Sequence, residues 1–154
     1  MHTLMRGRLM RNRKEPPLVQ DLAQVLSRAE RCLVRQLTRA LVDEGCSVEQ
    51  WRALVLLADG RGHAMTELAE FALVPAPSLT RLVDRMVADG LVHRRVDPRD
   101  RRRVLVHATR RGRALHRRLA ERIESEQEAV FGGVDAAETR RLLNLLGGLV
   151  DRLE

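Results

Sequence analysis

Apolar residues recur at helical spacing along most of the chain, and the first such stretch is long. It predicts an amphipathic helix over residues 18–43, with Gly45 just beyond its end. Ser47 and Gln50 form a capping box that opens a second predicted helix, which runs to residue 58. A last helix is predicted after a further capping box, Asp135 with Glu138. Its apolar positions are Leu142, Leu143, Leu146, Leu149, Val150 and Leu153.

The middle of the chain carries two short helical patterns separated by a break. The first pattern covers residues 66–72, and the segment at 73–77 contains two prolines that interrupt it. The second pattern ends at Asp89-Gly90, and its apolar stripe consists of Leu79, Leu82, Val83 and Met86. Two short helices joined by a tight turn are typical of a helix-turn-helix.

A β-hairpin is predicted directly after the second short helix. Residues 91–96 and 103–107 alternate as strands do, and the charged tip at 97–100 reads Asp-Pro-Arg-Asp. Thr109 can cap a further long helix over 111–131, which Gly132-Gly133 would stop. The predicted fold class is therefore mainly α with a small β-hairpin wing, a winged helix-turn-helix joined to a helical dimerisation region.

The pattern also predicts how the chain is divided. Residues 45–112 form the winged helix-turn-helix lobe, whereas residues 1–17 are basic and end in two prolines, which indicates a flexible arm. The first helix and the last two carry more apolar surface than a lobe of that size can cover. Residues 18–44 and 113–154 are therefore assigned to a symmetric dimer interface, with burial inside one chain as the alternative.

Charge is unevenly distributed. The 154 residues include 28 Lys and Arg against 21 Asp and Glu, a net charge of +7. Residues 91–118 hold eleven arginines and two aspartates, so this segment is net +9 and the remainder is net −2. A basic stripe confined to one segment is typical of a polyanion partner, and a solvated charge run is the alternative.

Other classes of function find little support in the sequence. No apolar run reaches the roughly 18 residues of a membrane span, and the basic start is not followed by a secretory apolar core, so we expect a cytoplasmic protein without membrane contact. Catalytic and cofactor-binding motifs are absent, so we expect neither an enzyme nor a cofactor. Histidines 63, 93, 107 and 116 lack metal-ligand spacing, so no metal site is expected.

Several motifs between residues 65 and 112 together resemble the MarR family of bacterial regulators. They read MTELAE at 65–70, TRLVDRM at 80–86, DGLV at 89–92, DPRDRR at 97–102, and Thr109 with Gly112. The resemblance implies a homodimeric transcriptional regulator that binds double-stranded operator DNA, a repressor that a small-molecule effector relieves. The chain departs from the family pattern at Leu73, where a small residue is usual, and at Pro75 and Pro77, where a Ser-type cap is usual.

Candidate DNA contacts follow from the helical spacing and from the wing. If the apolar stripe faces the core, Ser78, Arg81 and Arg85 share the exposed face, and an arginine there can pair with guanine. The alternative for Arg81 is an ion pair with Asp84 or Glu70. The predicted DNA-binding set is Ser78, Thr80, Arg81, Arg85, Arg99, Arg101 and Arg102. Asp97 and Asp100 are predicted to shape the wing, and by the resemblance Asp100 and Arg102 are its characteristic pair.

The resemblance also places an effector between the dimer helices and the DNA-binding lobe. Candidate pocket residues are Cys46, Trp51, Arg52 and His63, although a tryptophan in this position is more often simply a core residue. A regulator switched by thiol oxidation or zinc is an alternative, and Cys32 is expected to be a buried, inert thiol. A winged-helix module that binds an acidic protein partner is a further alternative.

Overall fold

A computed structural model describes residues 18–131 and 135–153. By its internal contacts the chain divides into two units, residues 1–35 and residues 36–154. The predicted arm at 1–17 and the predicted stop at Gly132-Gly133 lie outside the described residues. In chain order the elements are α1 (Leu18–Val42), α2 (Val48–Leu57), β1 (His63–Ala64), α3 (Met65–Ala72), α4 (Ala76–Ala88), β2 (Val92–Val96), β3 (Val104–Ala108), α5 (Arg110–Phe131) and α6 (Ala136–Leu153).

The predicted fold class is confirmed, with one addition. All six predicted helices and both hairpin strands are present, and the bounds that were predicted agree to within one or two residues. Only the end of α4 was predicted, and this helix begins at Ala76, inside the predicted break. The addition is β1, which pairs antiparallel with β3 and gives a three-stranded sheet in the order β1-β3-β2. Pro77 lies in the first turn of α4, where a missing N–H breaks no helical hydrogen bond.

The helix ends use the side chains that the sequence indicated. The Ser47 hydroxyl accepts the Gln50 N–H at 3.1 Å, and the Gln50 side chain accepts the Ser47 N–H at 2.9 Å. The Thr109 hydroxyl accepts the Gly112 N–H at 3.0 Å and donates to the Gly90 carbonyl at 2.6 Å. Thr109 therefore starts α5 and also ties it to the turn between α4 and β2.

The core of the unit formed by residues 36–154 is built mainly from Leu and Val side chains, with Met86. Its largest fully buried members are Leu41, Leu54, Leu57, Leu68, Leu79, Val83, Met86, Val106 and Leu119. Gly112 brings α5 against the β2 end of this core, because a Cβ at that position would overlap the backbone carbonyl of Leu91. Three of the buried side chains, Leu79, Val83 and Met86, belong to the apolar stripe predicted for α4. This stripe is therefore the face that anchors α4 to the rest of the lobe.

Helix α6 has a different character from the helices of the lobe. None of its residues between 136 and 153 is buried in the single chain. Its exposed apolar side chains include Leu142, Leu143, Leu145, Val150 and Leu153, with exposed fractions between 51% and 77%. An apolar face this open in one chain calls for a partner surface.

Candidate nucleic-acid interface

Helix α4 presents a polar face to solvent while its apolar face holds it in place. Leu79, Leu82, Val83 and Met86 are buried, each with at most 5% of its surface exposed. The predicted contact residues on this helix, Ser78, Thr80, Arg81 and Arg85, are all exposed. The sequence thus identified both faces of the helix correctly.

The two arginines of α4 are free of acidic partners within the described parts of the chain. Asp84, one of the two partners considered for Arg81, instead accepts a hydrogen bond from Arg94 Nη2 at 2.7 Å. Arg81 and Arg85 make no ion pair with residues 18–131 or 135–153. Both guanidinium groups are therefore available to a polyanion.

The Asp84–Arg94 ion pair was missed from the sequence. It joins helix α4 to strand β2 of the wing, and both side chains remain partly exposed, at 57% for Asp84 and 34% for Arg94. Because exposed ion pairs contribute little stability, its main consequence is geometric. It holds strand β2 beside α4. It also means that Arg94 is not among the arginines without an acidic partner.

The turn before α4 has an unusual backbone. Leu73 adopts a left-handed conformation with φ of 57°, and the residue is 72% exposed. The turn is nevertheless well bonded, since the Val74 N–H donates to the Ala69 carbonyl at 3.0 Å. Glycine would adopt this backbone without strain, so Leu73 is a strained residue at this position.

Two aspartates at the tip of the wing accept hydrogen bonds from backbone N–H groups. Asp97 is 9% exposed, and its Oδ1 accepts the Arg99 N–H at 2.9 Å. Asp100 Oδ1 accepts the Arg102 N–H at 3.0 Å. These bonds close the tip and use backbone donors, so the side chains of Arg99 and Arg102 are left exposed.

Three histidines meet at the base of the wing sheet. His93 and His107 are directly opposite each other in the β2–β3 register and stack with ring centroids 5.4 Å apart. Burial, followed by the positive fields of His93, Arg95 and His63, lowers the pKa of His107. The neutral form of His107 is therefore favoured, because a proton added there loses solvation and meets other cationic groups.

The four candidate effector residues lie at separate places. Trp51 stacks on His116 of α5 with ring centroids 5.1 Å apart, and Arg52 Nη1 donates to the Ala72 carbonyl at 3.4 Å. His63 lies between Asp59 at 2.9 Å and Glu67 at 3.1 Å. Cys46 lines a small cavity of about 190 Å³ whose wall also includes Glu44, Gln50, Asp89, Leu91, Arg111 and Arg118.

The two cysteines differ from expectation in one respect. The expectation of a buried Cys32 is wrong for the single chain, because Cys32 is exposed on α1 and Arg35 Nη2 lies 3.2 Å from its sulfur. Cys46 is the buried one, and burial together with Glu44 raises its pKa to about 11. Cys46 is consequently a poor nucleophile at neutral pH.

Two features concern other classes of site. Among residues 18–131 and 135–153, no group of three or more His, Cys, Asp or Glu side chains is arranged to hold a metal ion. In the same part of the chain, no helix is both long enough and apolar enough to cross a membrane.

Comparison with known sequences identifies the family. Residues 44–103 match the model of the MarR family. The homoprotocatechuate degradative operon repressor of Escherichia coli is 33% identical over 98 residues, which are 64% of this chain and 66% of that protein. The match thus spans just under two thirds of the repressor's own length. The transcriptional activatory protein BadR of Rhodopseudomonas palustris is 32% identical over 121 residues, 76% of this chain and 69% of BadR.

The fold agrees with solved structures of the same family. CouR from Rhodococcus jostii RHA1, solved bound to p-coumaroyl-CoA, superposes with a TM-score of 0.78 at 27% identity. The superposition covers 88% of this chain and 95% of CouR. MarR proteins are DNA-binding regulators rather than enzymes, which supports the expectation that this chain has no enzymatic activity. The chain belongs to the MarR family of transcriptional regulators.

Proposed function

We propose that this protein is a homodimeric, cytoplasmic regulator that binds a pseudo-palindromic operator through α4 and the wing. The observation that carries the proposal is the set of exposed arginines on these two elements. Arg81 and Arg85 on α4, and Arg99, Arg101 and Arg102 on the wing, form no ion pair with the described residues. Such cations supply the phosphate and guanine contacts of a DNA complex.

The functions proposed for the segments of the chain follow from where its apolar surfaces are exposed. Residues 45–112 bind DNA, residues 18–44 and 113–154 form the dimer, and residues 1–17 are an arm. The open apolar stripe of α6 supports this assignment, because a second copy would cover it. A two-fold dimer also matches a DNA site made of two half-sites about one helical turn apart.

We further propose that the dimer represses transcription by occupying its operator and that a small aromatic effector releases it. The supporting comparison is with a repressor of homoprotocatechuate degradation and with CouR, which was solved with p-coumaroyl-CoA. An effector can act only if it binds the DNA-free shape of the dimer better than the DNA-bound shape. The cavity lined by Cys46 is a candidate place for part of such a ligand, with Trp51, Arg52 and His63 as further candidates.

The experiment is selection of bound sequences from a random duplex pool, followed by anisotropy titration of the winner at several salt concentrations. We expect an enriched inverted repeat and an affinity that falls steeply as salt rises. Salt-sensitive binding without any enriched sequence would contradict the proposal and favour general attraction to polyanions.

Two single-residue variants distinguish base-specific contacts from general electrostatic attraction to DNA. Arg81→Ala should lose about 1–3 kcal/mol on the selected operator and much less on random DNA. Arg101→Ala should weaken binding to both more evenly and reduce the salt slope by about 1. Equal losses for Arg81→Ala on both DNAs would show that Arg81 contacts phosphate only.

A further inference from the structure

The N-terminal half of α4 has an apolar strip beside Arg81. With Leu79, Leu82 and Val83 buried, the helical spacing puts Pro77 at the centre of the exposed face. Thr80 is exposed on the side of this face that also carries Asp84, the residue bonded to the wing. Ser78 and Arg85 are on the opposite side.

Neither Thr80 nor Pro77 has a side-chain hydrogen-bond donor left to offer a base. The Thr80 hydroxyl donates to the Ala76 carbonyl four residues earlier, at 3.3 Å, so its single proton is used within the helix. The γ-methyl group of Thr80 takes no part in this hydrogen bond. Pro77 has no N–H and presents only ring methylenes. An apolar patch one helical turn long therefore lies next to Arg81.

In the major groove, the C5-methyl group of thymine is the apolar feature that base pairs display. We propose that Thr80, with Pro77 beside it, contacts a thymine methyl in each half-site, while Arg81 reads the neighbouring polar edge. This inference rests on the proposed operator binding and deepens it, because it names specificity-determining groups. It also gives a role to the proline that replaces the usual polar cap.

The test removes the methyl group from each side of the contact in turn. In the selected operator, each thymine of a half-site is replaced by deoxyuridine at both symmetry-related positions, which deletes only the C5-methyl group. The protein variants are Thr80→Ser, which keeps the hydroxyl and deletes the methyl, and Thr80→Val, which keeps methyl groups and deletes the hydroxyl. Thermal unfolding of both variants checks that the lobe remains folded.

We expect one thymine position at which deoxyuridine weakens binding of the unaltered protein about fourfold per half-site, the effect of about one methyl group. Thr80→Val should keep this sensitivity. Thr80→Ser should lose it and bind the thymine operator about as weakly as the unaltered protein binds the deoxyuridine operator.

Three outcomes would overturn the inference. The unaltered protein could be indifferent to deoxyuridine at every position, or Thr80→Ser could retain the full sensitivity. Alternatively, Thr80→Val could lose base preference that Thr80→Ser keeps, which would show that the hydroxyl oxygen reads the base. Failure of the proposed function is distinguishable from all three, because it appears earlier, as a selection without any enriched operator, and it would overturn this inference as well.

Discussion

The contact between α5 and the start of β2 allows a sharp stability prediction. Gly112 lies in the first turn of α5, and a Cβ there would overlap the Leu91 carbonyl. The same carbonyl accepts the Thr109 N–H at 3.0 Å and the Thr109 hydroxyl at 3.1 Å. Replacing Gly112 by alanine must therefore push the first turn of α5 away from the place where the wing begins.

The expected change in the free energy of unfolding is the sum of three contributions. Overpacking of this kind costs about 1–3 kcal/mol, and weakening one or two hydrogen bonds of Thr109 adds about 1 kcal/mol each. Alanine returns at most about 1 kcal/mol through its better helix propensity. We therefore expect Gly112→Ala to lower the free energy of unfolding by about 1–4 kcal/mol.

The matched control is Gly148→Ala in α6. A Cβ at Gly148 meets nothing within 4 Å, and the helical spacing puts it opposite the apolar stripe. This variant should be more stable than the parent by about 0.5–1 kcal/mol, because glycine is unfavourable inside a helix. The same amino-acid change should thus have opposite signs at the two sites.

The assay is urea unfolding at one fixed protein concentration, since dimer stability depends on concentration. Circular dichroism reports the helices, and the fluorescence of Trp51, which is the single tryptophan and stacks on His116, reports the packing of α2 against α5. A Gly112→Ala protein as stable as the parent would refute the claim that close approach at Leu91 sets the position of α5.

Three further predictions concern the turn, the wing and pH. Leu73→Gly should raise the free energy of unfolding by up to about 1 kcal/mol, because glycine relieves the left-handed backbone of this exposed residue; an unchanged urea midpoint would argue against strain there. Asp97→Ala should destabilise the wing by about 1 kcal/mol and weaken operator binding, measured by anisotropy, through loss of the bond to the Arg99 N–H; unchanged affinity would contradict the shaping role. Burial lowers the pKa of His116 and is the largest cause of the lowered pKa of His107, so the unfolded chain binds protons first as pH falls below about 6.5 and stability should fall with it. His107→Gln and His116→Gln should each flatten this dependence between pH 5 and 7, and a slope of the opposite sign would exclude the mechanism.

Local signals in the sequence were sufficient for the helices and for the faces of α4. The stripe from Leu79 to Met86 predicted its buried side, and the capping residues Ser47 and Thr109 predicted where helices begin. Strand β1 was missed because a two-residue strand has no alternation to detect, and it exists only through pairing with β3. Local sequence patterns thus predict the elements whose stabilising contacts come from residues nearby in the sequence.

Long-range contacts account for the remaining differences. The Asp84–Arg94 pair depends on how the wing returns beside α4, which no local spacing encodes. The exposure of Cys32 and the burial of Cys46 likewise depend on which helix faces find a partner within one chain. The candidate DNA contacts were accessible to prediction because exposure on an amphipathic helix follows directly from the position of its buried stripe.

The central claim is that a two-fold dimer reads two half-sites on one face of the DNA, and its most direct test is a spacing series. Five base pairs are inserted at the centre of the selected operator, which turns one half-site to the opposite side of the duplex, and ten base pairs restore the face. Binding is measured by anisotropy, and the stoichiometry by native mass spectrometry. The account predicts two chains per operator and a loss of at least tenfold in affinity for the five-base-pair insertion. An affinity that does not depend on the insertion, with a single chain bound per operator, would contradict it.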